Sequence, residues 1–327
     1  MSSFVTLFDS LLHAVNTGRR VAFCTVVRSC GSTPQTPGAS MLLHDDMRTE
    51  GTLGGGCIEA EVRRRGFELL QAGQAGLLRF DLDRDYGWDD GLLCGGQMDV
   101  AVVSVFRPEQ AAPFAHAAEE LRARRRARVP LAVRHEDRPQ AYMLHIEPAP
   151  ALWIAGAGHV GQALAKLAVD LDYRVMVVDD RADCASAERF PPPIERLVGD
   201  IEQTLRAAPI DADSYVVIVT RGHRHDEKAL AAVVRSPARY IGMIGSRRKV
   251  ARIFDDLAAA GIDRALLDRV HSPIGLRIGA RTVPEIAVSI AAEMTQVRRA
   301  DPAGHTRVEG PFAAPLPAQD EGVPDTG

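Results

Sequence analysis

The sequence predicts an α/β protein: an N-terminal mixed α/β domain followed by a Rossmann-like domain with a doubly wound parallel sheet. Three observations predict it. The chain has 327 residues, which at roughly 150 per domain suggests about two domains. Beyond residue 150, short apolar runs alternate with helical patterns, as in parallel strands joined by helices. Gly156-Ala157-Gly158-His159-Val160-Gly161 stands between an apolar strand and a helix, and the acidic Asp179 ends the next strand.

The elements follow in order. Leu7, Leu11, Leu12 and Val15 share one helix face, and Gly18 ends that helix. Residues 21–27 read as a buried strand, and the turn-rich SCGSTPQTPGAS leads to a second strand at 39–44. A glycine loop, TLGGGC, opens a helix over 58–71. The acidic stretch RFDLDRDYGWDDG, around 77–91, reads as irregular, and a clear strand covers 98–106. A helix with a basic solvated face spans 108–128, and two short strands follow. EPAP at 147–150 is the linker, which divides the chain into domains 1–147 and 148–300. In the second domain, strands are expected at 152–155, 174–178, 215–220 and 240–244, and helices at 160–170, 226–234, 247–260 and 284–297. The tail, 301–327, is rich in Pro, Gly, Ala and Asp without apolar periodicity and is expected to be disordered.

Composition excludes several classes of function. Hydrophobic residues make up 46% and charged residues 25%, as in ordinary globular proteins. A net charge of −4 provides no global field toward nucleic acid or anionic membranes, so neither is expected as a partner. No run approaches the ~18 apolar residues of a membrane span. Asp9 interrupts the N-terminal apolar stretch, which argues against a secretory signal. Five cysteines, an odd and low number, favour reduced thiols and a cytoplasmic location.

Chemistry concentrates in loops. Gly156, Gly158 and Gly161 allow a tight turn and close approach of a pyrophosphate to a helix N-terminus, with His159 inside the loop. Thr220-Arg221-Gly222-His223-Arg224-His225-Asp226 follows a strand at the carboxyl edge, where ligands of open parallel sheets bind. Arg221 and His223 favour an anion there. A metal reading of His223, His225 and Asp226 lacks a second cluster to complete it and faces repulsion from the arginines. Ser246 is a natural N-cap, and Arg247, Arg248 and Lys249 crowd a first turn where the helix dipole disfavours cations, so a bound anion would offset their cost. In the first domain, Gly54, Gly55 and Gly56 precede Cys57 at a helix start, which favours a thiolate. Cys94 stands before Gly95 and Gly96, again with bare backbone beside it. Cys24 and Cys30 read as packing residues, and the GKS/T ending of a nucleotide-hydrolysing loop is missing after residues 54–56.

Together these motifs resemble the XdhC/CoxI family, the xanthine dehydrogenase accessory proteins. The resemblance rests on GSTP (31–34) with GASM (38–41), GTLGGGCIEAE (51–61), Cys94-Gly95-Gly96, GAGHVG, VDDR (178–181), TRGHRHD, YIGMIGSRRK, PIGL (273–276) and EIAVSI (285–290). It leaves out residues 108–147 and the tail. Two positions depart from the family pattern: Gln35 stands where Arg is usual, and Thr282-Val283-Pro284 shifts the usual proline.

The resemblance implies a cytoplasmic, dimeric chaperone that binds molybdenum cofactor (molybdopterin) and supports its sulfuration by a cysteine desulfurase. It would then insert the cofactor into apo-xanthine dehydrogenase or a related molybdenum hydroxylase. The sulfur chemistry would belong to the desulfurase, so the chain itself is not expected to be catalytic. Cys57 and Cys94 are the candidates for the molybdenum end. The candidate cofactor-binding set adds Gly54, Gly55, Gly56, Gly95, Gly96, Gly156, Gly158, His159, Gly161, Asp179, Arg221, His223, Ser246 and Arg247. A dinucleotide at the GAGHVG loop stays open. The alternatives are an NAD(P)-dependent oxidoreductase built on that loop, a thiol enzyme acting through Cys57, and an interaction module that uses the Rossmann domain as scaffold.

Overall fold

A computed structural model describes residues 3–82, 96–136, 138–300 and 306–313. The chain divides into two compact units, which meet in sequence between Pro148 and Ala149. The first contains α1 (Ser3–Asn16), β1 (Val21–Cys30), β2 (Ser40–His44), β3 (Thr49–Gly51), α2 (Gly56–Gln71), β4 (Gly76–Asp81), β5 (Gln97–Val105), α3 (Pro108–Arg122), β6 (Ala127–His135) and β7 (Arg138–Ile146). β1 opens as an unbroken apolar run because both of its faces are covered. Val21 and Phe23 pack with Phe8 and Leu11 of α1 and Phe114 of α3, while Ala22, Cys24 and Val26 pack with Ile58, Val62 and Leu70 of α2. The register against β5 shifts between Val26 and Arg28, a bulge that ends the strict alternation.

The second unit contains β8 (Ala151–Ala155), α4 (His159–Asp170), β9 (Arg174–Asp179), β10 (Glu195–Val198), α5 (Ile201–Ala207), β11 (Ser214–Ile218), α6 (His223–Val233), β12 (Tyr240–Met243), α7 (Arg247–Ala259), α8 (Arg264–Asp268) and α9 (Val283–Ala300). Its strands run parallel in the order β10-β9-β8-β11-β12. Trp153, Met176, Val216 and Ile218 face the side covered by α5, α6 and α7; Leu152, Ile154, Val175 and Val217 face α4 and α9. Strand order reverses direction between β8 and β11, which makes their carboxyl ends the switch point where ligands of such sheets lie. The Rossmann architecture read from the alternation is therefore present.

Several elements differ from expectation. Residues 76–81, partly assigned to an irregular acidic stretch, form β4, because Leu77, Leu78 and Phe80 are buried and pair with β5. Residues 83–91 of that stretch lie outside the described residues. The tail expected to be disordered contains β13 (Arg307–Ala313), which returns to the first unit and pairs antiparallel with β7. This completes an eight-stranded sheet in the order β13-β7-β6-β4-β5-β1-β2-β3. The strand has little apolar periodicity of its own; the open edge of β7 supplies its backbone partners. Cys24 is fully buried, and burial pushes its thiol up to about 12. Cys30, expected to be a packing residue, is exposed at the end of β1 beyond the bulge.

Candidate functional site

In the first unit, the glycine loop before α2 is positioned by neighbours distant in sequence. Gly54, Gly55 and Gly56 have φ of 107°, 72° and 62°, so the turn needs left-handed backbone at three consecutive positions. A Cβ at Gly54 would lie 2.7 Å from the Pro34 Cβ and 3.1 Å from the Gln35 Cγ. A Cβ at Gly96 would lie 2.4 Å from the Ser32 carbonyl oxygen. The segment 32–35 thus touches both glycine motifs, and three separate stretches of sequence converge. Cys94 and Gly95 lie outside the described residues. Gln35, the departure from the usual Arg, packs with Pro34 on Gly54.

Glu59 holds this loop, a role that sequence reasoning missed. Its Oε2 accepts hydrogen bonds from the backbone N–H of Leu53 (3.0 Å) and of Gly55 (3.1 Å) and from the Thr52 hydroxyl (2.8 Å). Partial burial works to raise the Glu59 pKa, but these donors outweigh it and hold the carboxyl below its ordinary range. The Gly54 N–H donates to the Thr52 hydroxyl oxygen. Three amides of the glycine loop are therefore satisfied by the protein's own side chains. The available signal is an acidic residue in the first turn after a glycine run, where the helix dipole favours a carboxylate. Cys57 sits half-buried in the first turn of α2, whose N-cap, Gly55, provides no side-chain cap.

In the second unit, the fingerprint glycines behave as the spacing predicts. Gly156 has φ 117°, and a Cβ there would lie 2.5 Å from the Val219 carbonyl oxygen. A Cβ at Gly161 would lie 2.1 Å from the Gly156 carbonyl oxygen, so close packing of α4 on the loop requires glycine. A Cβ at Gly158 would meet nothing within 4 Å, and His159 begins α4 exposed to solvent. Asp179 is only 2% exposed. Its Oδ2 accepts from the Ala157 N–H (2.7 Å) and the Arg181 Nη2 (2.9 Å), and its Oδ1 from the Arg181 N–H (3.0 Å) and Nε (2.9 Å). Burial alone would raise its pKa; the Arg181 guanidinium and the two backbone donors bring it down to about 2. Beside it, Arg221 Nη2 donates to Asp180 Oδ2 at 2.8 Å.

The TRGHRHD segment, expected as a loop, enters α6 at His223, and its side chains split into separate arrangements. Asp226 is fully buried; it accepts from the Thr220 hydroxyl at 2.5 Å and forms an ion pair with Lys249 of α7. Lys249 is thus compensated inside the protein, whereas Arg247 and Arg248 remain exposed beside the N-cap, Ser246. His223 joins residues absent from the expected set: its Nε2 lies 3.8 Å from Glu227 Oε2 and 3.6 Å from Asp256 Oδ2. The sequence offers no such completing cluster. Packing of α7 against α6 creates it, with neither His225 nor Asp226 as a member, and the Arg252 Nε stands 4.0 Å from Asp256. Further along, Glu293 of α9 accepts from the Tyr240 hydroxyl (2.5 Å) and the Gly275 N–H (2.9 Å), and so anchors the PIGL loop beside β12.

Comparison with known proteins fits this arrangement. The family model described as "XdhC and CoxI family" matches residues 14–81, and that described as "XdhC Rossmann domain" matches residues 152–294. The chain belongs to the XdhC and CoxI family. A probable xanthine dehydrogenase subunit from Bacillus subtilis (strain 168) is 28% identical over 335 residues, covering 91% of this chain and 98% of the relative. "Molybdenum cofactor insertion chaperone PaoD" of Escherichia coli (strain K12) is 23% identical over 309 residues, covering 90% and 88%. "Uncharacterized protein YqeB" of the same organism is 30% identical over 284 residues, or 86% of this chain, which spans only 44% of that relative's length. A crystal structure described as a xanthine dehydrogenase from Bacillus halodurans shares the fold, with TM-score 0.79 and 24% identity over 93% of this chain and 99% of that one. The motifs of this XdhC and CoxI family member thus fall into two groups, one in each unit. In the first, GSTP packs on GGGC and Gly96. In the second, GAGHVG is bound to VDDR through Asp179, and TRGHRHD to GSRRK through Asp226 and Lys249.

Proposed function

We propose that the chain is a molybdenum cofactor chaperone: it binds and protects the cofactor, supports its sulfuration by a cysteine desulfurase, and inserts it into apo-xanthine dehydrogenase or a related molybdenum hydroxylase. The observation that carries this reading is the convergence of 32–35, Gly54–Gly56 with Cys57, and Gly96 in the first unit. The cargo is a phosphorylated pterin carrying molybdenum on two sulfurs. It calls for close backbone approach and a soft donor at its metal end. Bare glycine backbone and a half-buried thiol in the first turn of an uncapped helix supply both. Glu59 fills the amides of residues 53 and 55, so the loop receives the cargo through its helix end and Cys57 rather than as an open phosphate cradle. The relative named as a molybdenum cofactor insertion chaperone supports the same reading. The chain is expected to act as a cytoplasmic homodimer.

The test is retention and transfer. The full chain is incubated anaerobically with molybdenum cofactor and desalted; bound molybdenum and oxidised-pterin fluorescence are measured, and apo-xanthine dehydrogenase is added. Retained cofactor that activates the apo-enzyme, with loss of retention in Cys57→Ser, is expected. No retention by the folded wild-type chain would overturn the chaperone role. Wild-type retention and transfer in both Cys57→Ser and Cys94→Ser would overturn the assignment of the thiols.

A further inference from the structure

In a dinucleotide-binding Rossmann unit, the acidic residue that ends the second strand accepts hydrogen bonds from the ribose hydroxyls of the nucleoside. Asp179 occupies that position at the end of β9. A carboxylate has about four lone-pair sites. In this chain four donors take them: the Ala157 N–H, the Arg181 N–H, and the Nε and Nη2 of the Arg181 guanidinium, all between 2.7 and 3.0 Å. The two parallel guanidinium contacts, both 2.9 Å, form the fork-on-carboxylate geometry that is the strongest of such pairs. With the side chain 2% exposed, no edge of the carboxylate is left for a ligand. The acid that the fingerprint offers to a ribose is directed inward, onto the glycine loop and its own neighbour.

We propose that Arg181 is the specificity-determining residue of the Rossmann unit: by closing Asp179 it removes the ribose-diol site, so that the unit does not hold NAD through that corner. Asp179 then acts as a positioning residue for the loop, tying Ala157 between the first two fingerprint glycines to the end of β9. The neighbouring acid does not restore the site, since Asp180 receives Arg221 at 2.8 Å and has Arg181 Nε 3.9 Å away. This inference is independent of the cargo proposed above. A nucleotide titration and a cofactor-transfer assay can each fail without the other.

The probe is NAD, titrated into the full-length wild-type chain and variants by isothermal calorimetry, with folding checked by circular dichroism. Wild type is expected to show no binding up to about 1 mM. Arg181→Ser keeps the backbone N–H donors of 157 and 181 on Asp179 but exposes one face of the carboxylate. It is expected to bind NAD at least about tenfold more tightly than wild type, the value of one or two hydrogen bonds to a charged group. Asp179→Asn/Arg181→Ser is expected to lose that gain. If Arg181→Ser fails to fold, Arg181→Lys keeps the cation without the fork and carries the same expected direction. Wild-type binding of NAD that is lost in Asp179→Asn or Asp180→Asn would overturn the proposal. So would the absence of any gain in a folded Arg181 variant.

Discussion

Removing Asp226 tests the internal wiring of the Rossmann unit most directly. Asp226 is fully buried and Lys249 is 28% exposed, so Asp226→Ala strands a partly buried cation and leaves the Thr220 hydroxyl only the more distant Gly222 carbonyl oxygen, at 3.4 Å. Breaking a buried ion pair from one side costs about 3–5 kcal/mol. Lys249 retains some access to water, which places the cost toward the lower end, at about 3 kcal/mol. Its position in the first turn of α7 also works against it once the counter-charge is gone, because the helix N-terminus is itself positive. For a unit of this size the loss corresponds to a fall of about 6–12 °C in Tm. Replacing both partners removes the stranded charge, so Asp226→Ala/Lys249→Met is expected to recover about half of the loss. Urea denaturation is the assay, followed by circular dichroism and by tryptophan fluorescence, since Trp153 lies in the core that α6 and α7 cover. If Asp226→Ala stays within about 0.5 kcal/mol of wild type, or if the double variant is the less stable of the two, the ion pair does not hold these helices together.

Two more outcomes follow from the same geometry. Gly96→Ala places a Cβ 2.4 Å from the Ser32 carbonyl oxygen, a backbone atom that cannot move aside, and should destabilise the first unit by about 2–3 kcal/mol; Gly55→Ala, with open space but φ 72°, should cost only about 1 kcal/mol, and thermal melts of the two variants compare them. Asp179 has its folded pKa lowered to about 2 from an ordinary 3.8, so its contribution is fully present above about pH 4 and is lost as pH falls toward 2. That contribution is about 2 kcal/mol, and acid titration of urea stability should show it in wild type and a flatter slope in Asp179→Asn.

Two-part organisation, the parallel sheet and the place of the fingerprint loop are legible in the order of amino acids alone. Strand–helix alternation and glycine spacing are local properties, and local patterns survive without knowledge of contacts. Glycine runs and charge concentrations are visible along the chain too. What those charges do is settled by tertiary contacts. Asp179 reads only as the acid that ends a strand, and the fold gives it Arg181 and the Ala157 N–H as partners. Lys249 reads as a cation awaiting an anion until α6 brings Asp226 beneath it. Glu59 carries no reading of its own in the sequence, and only the fold puts its carboxylate on the loop amides. Each is a question of which partner comes within hydrogen-bond reach, and spacing along the chain does not set that distance. The same reason hides β13, whose strand conformation depends on the edge of β7, far earlier in the chain. It also hides the His223–Glu227–Asp256 cluster, which exists only because α7 packs beside α6.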